Sequence, residues 1–230
     1  MRRGLALAAA LVLVASASVA WRGADDASAR LSRSLAKMDA LAGVRLTMDA
    51  TVAATGPAAP GGALETRVHI DGVQRPPDRL RLAVDSADRH LDVVVIGQRT
   101  WVDEGTGSHQ SVRLALGPLR DATAALGVAR GPGAPRFAGL GVLDGTLTYR
   151  LRIDLSAGDL AARTLDQDVS ADARGSIELE LGLFDDLVRS QVVEITESGS
   201  DLGTGLAAVR TRYRVDYREH GRPVDIREPE

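Results

Sequence analysis

The sequence predicts an α+β domain in which about ten short antiparallel strands combine with two or three helices. Many segments carry apolar residues at every second position, which is the period of a strand, while two others carry them at helical spacing. Turns rich in Gly, Pro and Asp separate the strand segments by roughly 8 to 12 residues, as in an antiparallel meander. The 230 residues, 44% of them hydrophobic, are enough for one large domain with a sizeable core.

A helix is the first predicted element after the N-terminal segment. Asp25-Asp26 can cap it, and it is expected to run to about Leu41, before Gly43. Its apolar stripe, at i, i+4, i+7 and i+10, is formed by Leu31, Leu35, Met38 and Leu41.

Alternating segments then fill the chain from Val44 to Val102. Their apolar or alternating positions are Val44, Leu46, Met48, Ala50 and Val52, then Leu64, Thr66, Val68 and Ile70, then Leu80, Leu82 and Val84, then residues 91–96, and finally residues 99–102. Residues 55–62 are expected to form a loop. Asp71-Gly72 is expected to break the second segment, and Pro76-Pro77 to begin the next element.

The second half of the chain begins with a predicted helix over residues 117–129, where Pro118 takes a first-turn position. Residues 137–143 are apolar and fit either a strand or a helix, and residues 156–173 are polar with room for a helical turn. The predicted strands of this half cover residues 147–155, 177–183, 188–196 and 207–217. After a turn at Glu219-His220-Gly221, Val224 and Ile226 resume the alternation and predict a closing hairpin.

The N-terminal segment has the composition of a secretory signal peptide. Arg2 and Arg3 precede an apolar run over residues 4–14, and small residues follow it. Cleavage after Ala20 or after Ala29 would suit the small-residue rule, and a retained membrane anchor is the alternative. The run is short for a bilayer core, which takes about 20 residues to cross. We therefore divide the chain into residues 1–29, a signal peptide and short linker, and residues 30–230, the folded domain.

Composition excludes several classes of function. A net charge of -3 and an aromatic content of 3% argue against a nucleic-acid partner, which needs a basic surface and stacking side chains. The chain has no cysteine, which excludes a thiol nucleophile, a thiolate metal site and a lipid-modified cysteine.

Residues of catalytic type form no recognisable site in the sequence. His69, His90, His109 and His220 are scattered, and none has a second ligand at metal spacing, so surface positions are expected for them. Residues 139–145 lack the third glycine of a dinucleotide loop, and Asp185-Asp186 fits turn chemistry. No catalytic residue, cofactor or metal is predicted, and a hydrolase would need a serine, a histidine and an acid brought together by folding.

The recurring apolar face allows two interpretations. It is a packed core if the strands curl over helices and bury Leu and Val. It is the wall of a dry cavity if the sheet curves without closing, and an acyl chain could then fill the space. Each buried methylene contributes about 0.8 kcal/mol, so a long chain would bind without a hydrogen-bonding code. The alternation of apolar residues is the same in both cases, so it does not distinguish a packed core from a cavity wall.

Four segments of the chain, residues 70–81, 94–102, 179–195 and 213–226, together resemble a known family, the LolA/LprG-like (LppX/LprG-type) envelope lipid-carrier superfamily. Residues 70–81, IDGVQRPPDRLR, resemble its strand, turn and Pro-Asp element, and residues 94–102, VVIGQRTWV, look like the following hairpin. Residues 179–195 are similar to its later paired strands. Residues 213–226, YRVDYREHGRPVDI, look like its closing hairpin with Gly-x-Pro-Val-x-Ile.

This resemblance covers most of residues 30–229 and implies an unclosed antiparallel half β-barrel whose concave side is covered by helices. It also implies a hydrophobic cavity that carries lipids or lipidated molecules. Relatives of the LppX/LprG type typically carry a lipid-modified cysteine after the signal, which this chain lacks. We therefore expect an exported, soluble, shuttling carrier in the periplasm, cell envelope or extracellular space, without a covalent lipid anchor.

The expected partners are a lipid or lipidated ligand and a membrane-associated envelope protein, with no nucleic acid and with the oligomeric state open. The competing class is a non-enzymatic envelope interaction or regulatory module with a filled half-barrel. The residues expected to line the cavity, each equally explicable as core, are Val44, Leu46, Met48, Val68, Ile70, Leu80, Leu82, Val93, Val95, Leu147, Leu151, Leu179 and Leu181. Met48 could adapt to varied acyl chains because its unbranched thioether fits irregular shapes.

Overall fold

A computed structural model describes residues 27–57, 59–76, 78–87, 89–97, 99–105, 110–112, 126, 129–131, 133–162, 169–198 and 207–229. Its strands form one antiparallel sheet of 11 strands in the order β6-β5-β4-β3-β2-β1-β11-β10-β9-β8-β7. The strands are β1 Val44–Thr55, β2 Ala63–Arg75, β3 Arg79–Ser86, β4 His90–Ile96, β5 Arg99–Asp103, β6 Gln110–Val112, β7 Arg136–Leu143, β8 Thr146–Leu155, β9 Arg174–Gly182, β10 Val188–Ser198 and β11 Ala208–Arg218. The edge strands β6 and β7 do not pair with each other, so the predicted unclosed half-barrel is confirmed.

Helices account for little of the described chain. Helix α1, Ala27–Asp39, buries Leu31, Leu35 and Met38 as its apolar stripe predicts. It ends two residues before the predicted Leu41, which is within the usual fraying of helix ends. Helix α2, Ala157–Ala161, supplies the expected helical turn. Its capping box joins Ser156 and Asp159.

The other predicted helical features fall largely beyond the described ranges. Asp25-Asp26 and most of residues 117–129 lie there, although Leu126 and residues 129–130 are helical, and Leu126 and Ala129 are buried in the core. Residues 1–26, which contain the predicted export signal, also lie outside the described residues. No helix among the described residues is both long and apolar enough to cross a bilayer.

The centre of the sheet is the β1–β11 pair. Strand β1 pairs with β2 on one side and with β11 on the other, so two meanders, β1 to β6 and β7 to β11, meet along this pair. Leu46 of β1 lies opposite both Gly72 of β2 and Tyr217 of β11. Residues directly opposite each other share a face of the sheet, so the apolar positions of both meanders form one continuous surface.

The expected break at Asp71-Gly72 is wrong, because β2 runs without interruption from Ala63 to Arg75. Gly72 is needed there for space. A Cβ atom at this position would lie 2.4 Å from Leu82 Cδ2 and 2.9 Å from the Arg81 carbonyl oxygen. The glycine therefore lets Leu82 pack across β2 within the sheet.

Two strands were not clear from the pattern. Residues 137–143, which fit either a strand or a helix, belong to β7, an edge strand with a register shift between Phe137 and Gly139. The three-residue β6 is too short to show any period. Bulges and short strands are common at sheet edges because they blunt an unpaired row of backbone groups.

The predicted closing hairpin is wrong in its second half. Residues 222–229 form no strand, and they lie instead on the outer side of β3 and β4. Arg79 Nη1 donates to the Ile226 carbonyl at 2.8 Å, and Ile226 is buried. This tail explains why Val94 is buried although it points away from its core-facing neighbours Val93 and Val95.

The turn after β11 is attached to β10 through His220. Its Nε2 bonds the Val188 carbonyl at 2.8 Å, and its Nδ1 lies 3.2 Å from Arg189 Nη1. This arrangement fits a neutral ring that donates from Nε2 and accepts at Nδ1. Burial is the main cause that lowers the pKa of His220, and the Arg189 charge lowers it further. His220 is thus half-buried rather than on the surface, where the sequence placed it.

We predict that Gly72→Ala destabilises the protein by about 1 to 3 kcal/mol, because the new methyl group overpacks against Leu82 and the β3 backbone. The matched control is Gly158→Ala in α2, where the nearest atom to the new methyl group is the Ser156 hydroxyl at 3.8 Å. That substitution should stabilise the protein by about 0.5 to 1 kcal/mol. Urea unfolding measures both, and equal stability of the Gly72 variant and the wild type would contradict the packing argument.

We also predict that His220 titrates below about 6.5, the ordinary histidine pKa, in a ¹⁵N-resolved NMR titration. His69 and His90 should titrate above that value, because the hydrogen bonds that their rings donate to Asp49 and Asp85, respectively, are the main causes that raise their pKa.

The direction in which the His220 pKa makes stability change with pH follows from the number of protons bound by the folded and unfolded chains. Between the lowered folded pKa and about 6.5, the unfolded chain binds the His220 proton and the folded protein does not. The His220 contribution is therefore complete above about pH 6.5 and declines as the pH falls below it. The variant His220→Gln should lose this part of the pH dependence. The measurement is the free energy of unfolding from about pH 5 to about pH 8, on either side of the ordinary histidine pKa. If the variant kept the same change of stability with pH as the wild type, His220 would not be its cause.

Candidate functional site

The concave face is the side of the sheet that the helices cover. It is formed by residues that lie opposite one another across successive strands, such as Leu82 opposite Val93 and Leu151 opposite Leu179. The structure brings all the predicted cavity-lining residues to this one side. The period-two pattern specifies the face because a slip of one residue would turn every apolar side chain outward.

Burial divides the predicted lining residues into three groups. Met48 and Val68 are half-buried and pack against the core. Leu147 lies on the same side but is 47% exposed. The buried members are Val44, Leu46, Ile70, Leu80, Leu82, Val93, Val95, Leu151, Leu179 and Leu181.

Strand β11 supplies part of this face that the predicted lining set omits. Tyr213, Val215 and Tyr217 lie opposite Ala50, Met48 and Leu46 of β1, at the middle of the sheet. All three are buried. Their alternation was visible in the sequence, but a terminal strand gives no sign that it inserts at the centre of the sheet.

The concave face is not equally covered along its length. On β1, Val44 and Leu46 are buried, Met48 and Ala50 are half-buried, and Val52 is 41% exposed. On β2 the exposure rises in the same direction, from buried Ile70 through Val68 to Leu64, which is 50% exposed. On these two strands the concave face is therefore buried at the end of Leu46 and Ile70 and more exposed toward Val52 and Leu64, although Ala54, the next residue of β1 on this face, is buried.

Polar groups are buried in the apolar interior. The Tyr217 hydroxyl and the Ser34 hydroxyl are both buried without a hydrogen-bond partner in the described part of the chain. Burial raises the pKa of Tyr217, with a further rise from Tyr213. Leaving a buried hydroxyl unsatisfied costs about 1 to 3 kcal/mol. The Tyr217 phenol is therefore a neutral donor that could bind an oxygen within the interior.

Arg30 of α1 marks one border of the concave face. Its guanidinium lies 4.4 Å from the centre of the Tyr149 ring and pairs with Asp186 at 2.8 Å. Its Nη2 also donates to the Leu183 carbonyl at 2.5 Å. These bonds hold α1 against the turn between β9 and β10.

The convex face is charged. Arg152 pairs with Glu178 at 2.7 Å, and Arg212 pairs with Glu194 at 3.1 Å. Such exposed pairs contribute little each to stability, so their main effect is to keep this face in water. The two described grooves, of about 370 Å³ each, lie on this outer side, one beneath the C-terminal tail and one among these charged residues.

The described histidines have ordinary partners. His69 bonds Asp49 at 2.7 Å and Asp71 at 3.3 Å, and His90 bonds Asp85 at 2.6 Å. His109 lies outside the described residues. Across the described ranges, no three His, Asp or Glu side chains are grouped so that they could hold a metal ion.

Comparison with solved structures identifies similar folds. The lipoprotein LppX from Mycobacterium tuberculosis matches 86% of this chain and 97% of its own, with a TM-score of 0.56 and 14% identity. LprF from Mycobacterium bovis matches 90% of this chain and 98% of its own, with a TM-score of 0.55 and 15% identity. No protein-family model and no curated protein matches the sequence significantly.

At these identities the likeness concerns the fold, and it extends over nearly the full length of both solved proteins. It agrees with the open sheet and with the helix that covers its concave side. The expectation drawn from the four sequence segments is thereby confirmed at the level of the fold. The chain has the fold seen in LppX and LprF.

Proposed function

We propose that this protein is an exported, non-enzymatic carrier or chaperone that binds lipid acyl chains on the concave face of its half-barrel in the cell envelope. The observation that carries the proposal is the continuous apolar face, which becomes progressively more exposed from Leu46 through Met48 and Ala50 to Val52. An apolar surface that runs from the interior to an open end offers an acyl chain both a wall and an entrance.

The energetics of such a site are simple. Each methylene transferred from water to this face contributes about 0.8 kcal/mol, so a long acyl chain needs few specific contacts. The Tyr217 hydroxyl can donate to a carbonyl or carboxyl oxygen of the ligand, which would satisfy a group that is otherwise buried and unpaired. The ligand class is therefore a lipid or lipidated molecule with an oxygen at the head of its acyl chain.

The lack of cysteine bears on how the carrier would be held in the envelope. A chain with no cysteine has no thiol for a lipid anchor after its signal. We infer that it shuttles in the periplasm, the envelope or the extracellular space, and that it delivers to a membrane-associated partner. This inference keeps residues 1–29 as signal and linker and residues 30–230 as the lipid-binding domain.

A second candidate function is the envelope interaction or regulatory module with a filled half-barrel. The burial of Leu151, Ile177 and Leu179, each 0% exposed, favours a packed interior over that part of the sheet. The carrier and the module differ in whether the half-buried part of the face, around Met48 and Val68, receives a ligand.

The first prediction compares two faces of one strand. Ala50→Trp places an indole on the concave face, and Thr51→Trp places the same group on the convex face of β1. If acyl chains bind on the concave face, only the Ala50 variant should lose co-purified lipid, by at least about ten-fold, because the indole takes the ligand's volume. Native mass spectrometry of the full-length chain, with exchange of a labelled fatty acid, measures the loss.

Thermal unfolding of the same variants separates the two candidate functions. A carrier should accept the indole at position 50 with a melting temperature close to that of Thr51→Trp. A filled half-barrel should be overpacked and destabilised by about 1 to 3 kcal/mol. A wild-type protein that neither co-purifies with lipid nor takes up the labelled fatty acid would refute the carrier.

The second prediction concerns the Tyr217 hydroxyl. Tyr217→Phe removes an unpaired buried group, so the lipid-free protein should gain about 1 kcal/mol of stability. The lipid-bound protein should lose affinity by about five-fold or more, since a hydrogen bond to the ligand is worth about 1 kcal/mol. Tyr213→Phe tests the neighbouring tyrosine on the same face. Unchanged affinity for lipid in the Tyr217 variant would exclude its hydroxyl from the binding site.

A further inference from the structure

Two hydroxyl groups are buried in the apolar interior without a partner. Ser34 lies in the buried stripe of α1 and is 0% exposed, and Tyr217 of β11 is 2% exposed. Neither hydroxyl has a hydrogen-bond partner within the described ranges. Leaving a buried hydroxyl unsatisfied costs free energy that a bound acceptor would recover. One hydroxyl on the helix and one on the sheet therefore point to a ligand that accepts hydrogen bonds.

Both hydroxyls belong to the same end of the concave face. The β10–β11 register places Tyr217 beside the start of β10, and α1 packs against β10 as well. Arg30, one turn before Ser34, pairs with Asp186 at 2.8 Å in the turn that precedes β10. Lys37, one turn after Ser34, reaches the same carboxylate at 3.4 Å. Ser34 and Tyr217 therefore lie on two elements that adjoin the start of β10.

The polar groups at this end are mainly hydrogen-bond donors. Burial raises the pKa of Tyr217, so its phenol keeps its proton. The Nε of Arg30 is also buried without an acceptor in the described part of the chain. Gln191 and Tyr213, which are buried on the same side of the sheet, have interactions of their own. An occupant of this end must therefore supply an acceptor oxygen, which an acyl carbonyl has and a plain hydrocarbon lacks.

The exposure of β1 gives such a ligand a direction. Tyr217 lies opposite Leu46, at the buried end of this part of the face, and exposure on β1 rises from there through Met48 to Val52. Strands rise about 3.3 Å per residue, so Leu46 and Val52 are about 20 Å apart. This distance is comparable to the length of an extended long acyl chain. A chain whose oxygen meets the two hydroxyls can therefore follow β1 with its methyl end toward Val52.

We propose that Ser34 and Tyr217 bind the carbonyl oxygen of a single-chain acyl ligand, a fatty acid or a simple fatty-acid ester, whose methyl end lies toward Val52. This inference rests on the proposed function and deepens it, because it gives the ligand an orientation and assigns a residue of α1 to its recognition. A two-chain phospholipid does not fit, since its phosphate would follow its carbonyl groups into the apolar interior at a high cost in desolvation.

The first experiment measures affinity by competition against a labelled fatty acid on the full-length chain. The competing ligands are palmitic acid, its methyl ester and hexadecane, which has as many carbons as palmitic acid and no oxygen. The variants are Ser34→Ala, Tyr217→Phe and the pair together. The matched control is Ser32→Ala, on the exposed side of the same helix, where the hydroxyl donates to the Ser28 carbonyl at 2.9 Å.

Each single variant should lose about five-fold in affinity for an oxygen-containing ligand, the factor that corresponds to one hydrogen bond. The double variant should lose more than either single variant. Affinity for hexadecane should not fall in any of them, and Ser32→Ala should bind all three ligands as the wild type does. A loss for the acid alone assigns the bound oxygen to a carboxyl group, and a loss for both the acid and the ester assigns it to any acyl carbonyl.

The second experiment tests the orientation. The chain has no cysteine, so Val52→Cys provides a single site for a fluorescent label on the exposed part of the concave face. Thr51→Cys carries the same label on the convex face as the control. Stearic acid with a nitroxide near its methyl end should quench the label at position 52 more strongly than stearic acid with a nitroxide near its carboxyl group. The label at position 51 should show no such difference.

Three results would overturn the proposal while the carrier stands. They are unchanged affinity for the acid and the ester in both hydroxyl variants, an equal loss for hexadecane, and stronger quenching at position 52 by the nitroxide near the carboxyl group. Thermal unfolding checks that the variants fold, and Ser34→Ala should be at least as stable as the wild type because alanine favours the helix and removes an unsatisfied hydroxyl. A wild type that takes up none of the ligands would refute the carrier together with this site.

Discussion

The structure depends on the separation of apolar and charged side chains onto opposite faces of one open sheet. An unclosed sheet cannot bury its apolar face against itself, so the cover must come from other elements on that side only. Helix α1 supplies part of that cover with Leu31, Leu35 and Met38. The register of β1 with both its neighbours fixes which face each side chain takes, and a slip of one residue would place the charged positions of β11 in the core.

The same separation explains what the sequence could predict. The alternation in β1, β3, β8 and β11 indicated both the strands and the face that carries the predicted lining residues. Gly72 was misread because its reason is the side chain of Leu82 on another strand, and a turn is the common local meaning of Asp-Gly. Val94 and Ile226 were missed as partners because a tail laid across the convex side leaves no periodic signal.

For the candidate site too, the sequence predicted the face on which each side chain lies but not its burial or its hydrogen-bond partners. The alternation of side chains placed Leu147 and Leu151 on the same side of β8. It could not show that Leu147 is exposed while Leu151 is fully buried. The unpaired hydroxyl of Tyr217 depends on what lies around it in three dimensions, and a tyrosine on an alternating strand looks the same whether or not its oxygen has a partner. Packed and open regions share the concave face, so the binding site we propose extends from the buried Tyr217, opposite Leu46, into the part where burial is incomplete, around Met48, Ala50 and Val68.

The central position of β11 has a consequence for how the chain acquires its structure. The first strand pairs with the last, as in the register of Arg45 with Arg218, so the two meanders join through a contact between distant parts of the chain. Non-local pairing of this kind slows folding because a long loop must close before the contact forms. Until β11 is available, one edge of β1 and one edge of β10 remain without a partner and can pair wrongly. A nascent chain of this protein therefore stays incomplete until its final strand has emerged.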